Sequence, residues 1–423
     1  MRDYAPDRPT TKRMPLNRTT KAILTVLFLV FGIWLSTNRQ FYTAALASAF
    51  FSFALANVII LHLRLVPKWL DAALILGGTI LLSLIDIKIL HFPRAVLIWL
   101  SFAGLTSVLV FGVRTIWAKE KDQKLLFLGF APAFLFVASE YFAGNLLGWT
   151  ADHHSLSLDL YLFSFDSSLG VQIPFLAGQL FSHWPWLRLV AVMFYLGLPI
   201  PIALIYAGRL LRYREKAIPS AVAFLAAGPI GIIFYNLFPA AGPVHVFAGM
   251  FPWHTLPMSQ AVKLVAGPIP ANGPPNAIPS LHMAWVLLAW WYSRGLSWWE
   301  RSVALTFVFF TVLATLGTGE HYFIDLIVAF PYALLIESMC SYSLKFTDRR
   351  RSVAVVVGLI CTLGWLDLLY GALHFFWISP VLPWSFCIAT VAISLMAERN
   401  LQQPKTAPAI EAPAISPVLS STS

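Results

Sequence analysis

A histidine follows a helix-start signal in the second half of the chain. Asn276, Pro279, Ser280 and His282 lie within the segment 276–282, and Pro279 suits the first turn of a helix, where its missing N–H costs nothing. The free amides of a first helical turn, together with the helix dipole, form an anion site. We therefore predict that Asn276 and Ser280 contact an anionic substrate and that His282 lies in the same turn.

A second histidine is paired with a carboxylate in the segment 317–325. His321 and Asp325 are four residues apart, so they share one face of a helix. A carboxylate there can accept the Nδ1 proton, which leaves Nε2 as a nucleophile or base. Two histidines and an aspartate could instead bind zinc or simply lie at the membrane interface. The pairing favours catalysis, because a carboxylate one turn into a membrane span is costly unless it is paired.

The composition indicates that these segments belong to a membrane protein. The 423 residues are 58% hydrophobic and 11% charged, and the mean hydropathy is +0.74. A soluble domain carries about 25% charged residues, and a soluble chain could not bury so much apolar surface. We predict an all-α polytopic bundle of about twelve transmembrane helices, since only helices and closed barrels satisfy the backbone in lipid. The three cysteines all lie in apolar segments and do not form a disulfide framework.

The predicted spans follow the apolar runs, each long enough to cross most of a bilayer. They lie near residues 22–36, 43–63, 70–90, 95–113, 125–148, 187–208, 217–239, 280–293, 302–319, 321–344, 353–374 and 377–396. Two long connections, 149–186 and 240–279, interrupt this pattern.

The distribution of Lys and Arg predicts the topology. With the N-terminus in the cytoplasm, the opposite face keeps five of the 29: Arg39, Lys88, Arg94, Arg188 and Lys263. This asymmetry predicts cytoplasmic termini and a non-cytoplasmic site, since both histidines and both long connections fall on the sparse side. The net charge of +10 is spread over cytoplasmic loops, so it does not indicate a nucleic-acid partner.

The two histidine segments carry a family resemblance. Pro279-Ser280-Leu281-His282 followed by His321-Tyr322-Phe323-Ile324-Asp325 resembles the type 2 phosphatidic acid phosphatase superfamily. Within it, the chain is most similar to inositol phosphorylceramide synthases and related inositol phosphotransferases, because Leu281 replaces the glycine of the general motif. The resemblance implies a six-helix catalytic core over 125–345. Around it we expect a basic tail (1–21), a four-helix extension (22–124), a two-helix extension (346–399) and a disordered tail (400–423).

The resemblance also implies roles for the residues that match its motifs. His321 would attack phosphorus to form a phosphohistidine, Asp325 would orient it, and His282 would protonate the leaving oxygen. Water or an alcohol would then take the phosphoryl group from a phospholipid or sphingolipid-like substrate in the bilayer. The family's mechanism needs no metal, and we expect no cofactor.

The family's phosphate-binding cations are missing from their expected positions. Thr315 stands where the third motif has arginine, and His245 is the nearest substitute for the cation of the first motif. Lys263 and Arg188 could reach the site, and backbone amides near Ser280 and Gly319 could supply further donors. A site with few cations suits a phosphodiester better than a phosphomonoester, which carries nearly two charges.

Other polar residues have two interpretations each. The connection 149–186 carries Asp152, His153, His154, Asp159 and Asp166. They could contact a polyol headgroup or a metal, but for most of them we expect a solvated loop at the membrane surface. Within the predicted spans Asp86, Glu140 and Asp367 are functional candidates by default, with snorkelling or pairing as the alternative.

A secondary transporter is the alternative function, because about twelve helices is a common number for transporters. A lack of repeat symmetry, and polar residues gathered at one interface rather than at the midplane, favour the enzyme. A non-catalytic scaffold would not require the joint placement of His282 and His321.

Overall fold

The structure is a computed structural model that describes residues 17–85, 96–254 and 268–403. Its helices are α1 (Arg18–Thr37), α2 (Arg39–Ala47), α3 (Ala49–Leu65), α4 (Trp69–Ile85), α5 (Val96–Trp117), α6 (Glu120–His153), α7 (Asp159–Ser168), α8 (Ile173–His183), α9 (Pro185–Leu196), α10 (Pro199–Tyr213), α11 (Ile218–Leu237), α12 (Pro243–Phe247), α13 (Leu281–Tyr292), α14 (Trp298–Gly317), α15 (Phe323–Cys340), α16 (Arg349–Gly371), α17 (Leu373–Phe376) and α18 (Val381–Gln402). The strands β1 (Leu156–Ser157) and β2 (Ile269–Pro270) pair antiparallel between the two long connections.

The chain is an all-α polytopic membrane bundle, as predicted. Among the described residues, eight helical segments are long and apolar enough to cross a membrane, with α10 and α11 counted together as Pro199–Leu237, or nine if α2 and α3 form one bent span. The prediction of about twelve spans also counted shorter apolar segments. Two of these are α4 and α9, and a third is α13, whose 12 residues cover about 18 Å.

The helices α10 and α11 form a hairpin rather than one long rod. A continuous helix would hold Ile202 and Leu225 about 35 Å apart, yet both line the same small cavity with Phe224 and Tyr206. The chain reverses at the 3₁₀ turn Arg214–Ala217, where Arg214 has a φ of 53°. The hairpin therefore provides the predicted span 217–239 as α11, whereas the predicted span 187–208 is divided between α9 and α10.

Two apolar clusters divide the bundle. One cluster joins α2, α3 and α5 to the facing sides of α6 and α10. The larger cluster joins α7, α8, α11 and α13–α18. At its centre lies α15, with 83% of its apolar window buried, against 11% for α1. The N-terminal helices thus pack on the larger cluster through α6 and α10. Helix α15 is surrounded by other helices of that cluster.

Ion pairs and the histidine segments lie at opposite ends of the same helices. Glu300, in the first turn of α14, pairs with Arg64, and Arg294, just after α13, pairs with Glu398. His321 follows the other end of α14, and His282 begins α13. The 20 residues of α14 separate the two sets by about 30 Å, the thickness of a hydrocarbon core.

A test of the N-terminal packing compares two glycines. A Cβ on Gly104 would lie 2.4 Å from the backbone carbon of Leu55, so the α3–α5 crossing requires glycine. Gly104→Ala should destabilise the fold by about 1–3 kcal/mol, because backbone atoms must move apart. A Cβ on Gly77 meets nothing within 4 Å, so Gly77→Ala should leave the thermal midpoint in detergent unchanged or raised. Equal midpoints for the two variants would contradict this account of the crossing.

Candidate active site

A tight turn between α14 and α15 carries His321. Gly319 has a φ of +77°, and a Cβ there would come within 2.9 Å of Phe251, so both the backbone conformation and the space favour glycine. The His321 amide donates to the carbonyl of Thr315 at 3.2 Å. Thr315, which occupies the position of the family's arginine, is fully buried and shapes the turn through its backbone.

The His321 imidazole is held at both nitrogens. Nδ1 lies 2.8 Å from the carbonyl oxygen of Ala277, and Nε2 lies 3.1 Å from Oγ of Ser280. A carbonyl can only accept, so the Nδ1 proton donates to Ala277 and the Nε2 lone pair accepts from the Ser280 hydroxyl. Asp325 Oδ2 lies 3.4 Å from Nδ1 and accepts the Tyr322 amide at 2.7 Å. The predicted Asp325 contact is present, but the shorter bond at Nδ1 is to a backbone carbonyl.

His282 lies in an aromatic setting. Its ring stacks on Tyr195 with centroids 3.9 Å apart, and Phe50 of α3 meets it edge-on at 5.4 Å. Among the described residues we find no hydrogen-bond partner for its ring nitrogens. Leu281, next to it, packs against Gly231 of α11, where a Cβ would lie 2.5 Å from the leucine Cδ2. The imidazole is thus placed by packing, with both nitrogens free to exchange a proton.

Two aspartates of the connection 149–186 anchor the segments around His321. Asp159 accepts the amides of Ala241 and Gly242 at 2.9 and 2.7 Å. Asp166 accepts the amides of Phe323 and Ile324 at 2.7 and 3.2 Å, in the first turn of α15. Both carboxyls are fully buried, and burial raises the pKa of each. The expectation of a solvated loop is therefore wrong for these two residues.

A pattern in the sequence could have identified this pair. The aspartates are seven residues apart in an otherwise apolar segment, so they share one helix face. Two carboxylates on the buried face of a short helix need donors, and backbone amides of neighbouring turns provide them. The other polar residues of the connection behave differently: Asp152 and His153 are exposed, and His154 Nε2 lies 3.1 Å from Asn236 Oδ1.

His245 lies in α12, against the turn that carries His321. Its Nε2 is 3.6 Å from Glu320 Oε2, and a Cβ on Gly242, whose φ is +107°, would meet the Glu320 carbonyl oxygen at 2.3 Å. The Gly319 amide donates to Leu316, and its carbonyl accepts from Val244 at 2.9 Å. His245 and Gly319 therefore brace the two turns together, and neither lines the cavity described next.

A cavity of about 910 Å³ opens beside the two histidines. Asn276, His282 and His321 line it, together with Tyr235 and Trp285. Among the described lining residues there is no Lys or Arg, and Lys263 lies outside the described residues. Within 17–85, 96–254 and 268–403, no group of three or more His, Cys, Asp or Glu side chains is arranged to hold a metal ion.

We expect the His245–Glu320 pair to stabilise the protein only within a pH window. The adjacent Glu320 carboxylate raises the pKa of His245, and His245 holds the pKa of Glu320 below its usual value. The contribution is present near about pH 6, fades as pH rises through the pKa of His245, and fades as pH falls through that of Glu320. Glu320→Gln should therefore lower the thermal midpoint most near about pH 6. The loss in the free energy of unfolding should be less than about 1 kcal/mol, since the pair is half-exposed.

A second ion pair gives the control for this measurement. Lys124 pairs with Glu215 on the exposed surface, and neither partner is a histidine. Glu215→Gln should lower the thermal midpoint equally at about pH 7 and pH 9. The lowering caused by Glu320→Gln should disappear over about that range. A Glu320→Gln effect that grows above about pH 9 would contradict the pairing.

Comparison with known proteins identifies the domain that carries these segments. Residues 160–339 match the sequence profile of the PAP2 superfamily, a range that runs from α7 to α15 and contains His245, Asn276, His282, His321 and Asp325. Neither curated proteins nor solved structures give a match to this chain. The predicted core limits, 125 and 345, stay predictions. Residues 160–339 therefore carry the match to the PAP2 superfamily, which supports a phosphatase-type lipid enzyme.

Proposed function

We propose that this protein transfers or hydrolyses a lipid-linked phosphoryl group through a phosphohistidine on Nε2 of His321. The observation that carries the proposal is the hydrogen bond from Nδ1 to the Ala277 carbonyl. This bond keeps the proton on Nδ1 and the lone pair on Nε2. That lone pair accepts from the Ser280 hydroxyl at 3.1 Å, and it attacks phosphorus once the hydroxyl turns to the bound phosphate. Asp325, 3.4 Å from Nδ1, stabilises the positive charge that develops on the ring as Nε2 attacks.

The reaction divides into two balanced steps. In the first, Nε2 of His321 attacks phosphorus, the bond to the leaving oxygen breaks, and protonated His282 gives its proton to that oxygen. In the second, the oxygen of water or an alcohol attacks phosphorus, the P–N bond breaks, and neutral His282 takes the proton of the entering hydroxyl. His282 therefore returns to its starting state, and the same chemistry serves hydrolysis and transfer.

The charge of the cavity favours a phosphodiester over a phosphomonoester. Among the described lining residues protonated His282 supplies the positive charge in the first step, and the first-turn amides of α13 add the positive end of a helix dipole. This positive charge balances the single negative charge of a phosphodiester better than the nearly two charges of a phosphomonoester. Together with Leu281 in place of glycine, it supports an inositolphosphotransferase-like specificity, with Asn276 and Ser280 contacting the phosphate.

We place the site on the non-cytoplasmic face, with both termini in the cytoplasm. The support is the distribution of Lys and Arg, together with the ion pairs of Arg64 and Arg294 at the end of the bundle far from His321. The substrate would then enter from the outer leaflet.

The two histidines should be separable by mutation. His321→Ala removes the nucleophile and should be inactive on every substrate. His282→Ala should lose about 100- to 10,000-fold on a natural lipid but retain the first, p-nitrophenol-releasing step with p-nitrophenyl phosphocholine, whose leaving group needs no acid. It should also accumulate an acid-labile phosphoenzyme, because no base activates the entering hydroxyl. Radiolabelled phosphate trapped on the purified protein measures this.

The contrary results are specific. A phosphoenzyme that persists in His321→Ala would exclude that residue as the nucleophile. Equal losses of His282→Ala on the lipid and on the activated ester would exclude His282 as the leaving-group acid.

The topology is tested with a membrane-impermeant maleimide on intact cells. Gly249 is exposed after α12 with open space around its Cα, and Lys216 is exposed at the α10–α11 turn. Gly249→Cys should react from outside, and Lys216→Cys only after permeabilisation. The unmodified protein gives the background from Cys340, Cys361 and Cys387. The reverse labelling pattern would place the site in the cytoplasm.

A further inference from the structure

The cavity beside the two histidines has walls from two parts of the chain. Residues of α11 and α13 supply one side, within the PAP2 superfamily domain. Residues of α2, α3 and α6, which precede that domain, supply the other. Phe50 of α3 touches the His282 ring directly. The N-terminal helices therefore form part of the chamber in which a substrate would meet His321.

Four polar side chains on this cavity have no hydrogen-bond partner among the described residues. They are Glu140 and Asn145 of α6, together with Asn276 and His282. Neighbouring polar groups are occupied: Gln40 accepts from Tyr141 at 3.3 Å, and Ser139 donates to the Phe136 carbonyl at 2.8 Å. Of the four, Glu140, Asn276 and His282 are half-buried and Asn145 is exposed. Polar groups without a protein partner within a membrane bundle mark functional sites, and a bound molecule can satisfy these four.

The position of Glu140 is the most informative of the four. A chamber without a lining Lys or Arg leaves a phosphomonoester, which carries nearly two negative charges, without a balancing cation. The Glu140 carboxyl accepts hydrogen bonds from hydroxyl groups, and the Asn145 amide can both donate and accept. The volume of about 910 Å³ suits a headgroup of moderate size. These properties select a neutral, hydroxyl-bearing group.

We propose that Glu140 and Asn145 form a subsite for a neutral hydroxyl-bearing group of the substrate, so that the N-terminal helices supply the specificity of the site at His321. This proposal rests on the proposed function of His321 and extends it to a substrate class. The group has two possible sources that share this chemistry. It is either the departing alcohol of a phosphodiester lipid or the alcohol that accepts the phosphoryl group.

Carbodiimide modification of the full-length protein tests binding without turnover. Dicyclohexylcarbodiimide enters membranes and reacts with carboxyl groups, and peptide mapping reports Glu140 and Asp367 separately. Phosphatidylglycerol should slow the modification of Glu140 several-fold, whereas phosphatidic acid with the same acyl chains should not. Asp367, on the exposed side of α16, lies away from the cavity and should react equally throughout. Protection by free glycerol would assign the subsite to the acceptor, and protection by the lipid alone to the departing headgroup.

The same measurement on His321→Ala separates this proposal from the proposed function. Protection of Glu140 in that variant should persist, because binding needs no nucleophile. Protection with no phosphoenzyme in the unmodified protein would support the subsite and refute the chemistry. Equal protection by phosphatidic acid, or none by phosphatidylglycerol and glycerol, would overturn the subsite.

Variants give an independent kinetic test. Glu140→Leu should lower kcat/KM for phosphatidylglycerol about 10- to 100-fold relative to bis(p-nitrophenyl) phosphate, which has no free hydroxyl. Glu140→Gln should retain part of this preference, because its amide oxygen still accepts a hydrogen bond. Asp367→Leu, a matched carboxyl removal in another membrane helix, should leave the ratio unchanged. An equal loss on both substrates in Glu140→Leu would overturn the proposal.

Discussion

Buried carboxylates bonded to backbone amides hold the two turns of the candidate site in place. Asp166 binds the first amides of α15, and Asp159 binds the amides of Ala241 and Gly242. Both aspartates lie on α7, so one short helix fixes the start of α15 and the segment that leads to His245. A buried carboxylate without such donors would be strongly destabilising, which ties the fold of α7 to the positions of both turns.

The N-terminal helices have a part in the site as well as in the bundle. They pack on α6 and α10 through their own apolar cluster, and α3 brings Phe50 against His282. The chamber is thus shared between residues inside the PAP2 superfamily domain and residues before it.

The sequence was sufficient for the fold class, because hydropathy is a local property. It also predicted the contact of His321 with Asp325, although His321 lies in the turn before α15 rather than on its helical face. Among the described residues fewer helices than twelve are long enough to span, since an apolar run such as 280–293 forms a 12-residue helix inside the bundle. The anchoring roles of Asp159 and Asp166 were not predicted, because their amide partners lie far away in the chain. The shared cavity depends on how α3 and α6 pack against α13, which no motif records.

The bond between His321 and Ala277 has a consequence for genetics. Its acceptor is a main-chain oxygen, which every residue type supplies equally. No substitution at position 277 removes that oxygen, so the effect of a larger residue there would report the packing around the fully buried Ala277 and not this contact. Only a change of the atom itself, such as an ester in place of the following amide to weaken the carbonyl as an acceptor, would reveal its contribution. Part of what orients this imidazole is therefore the backbone conformation at Ala277 rather than the identity of a side chain.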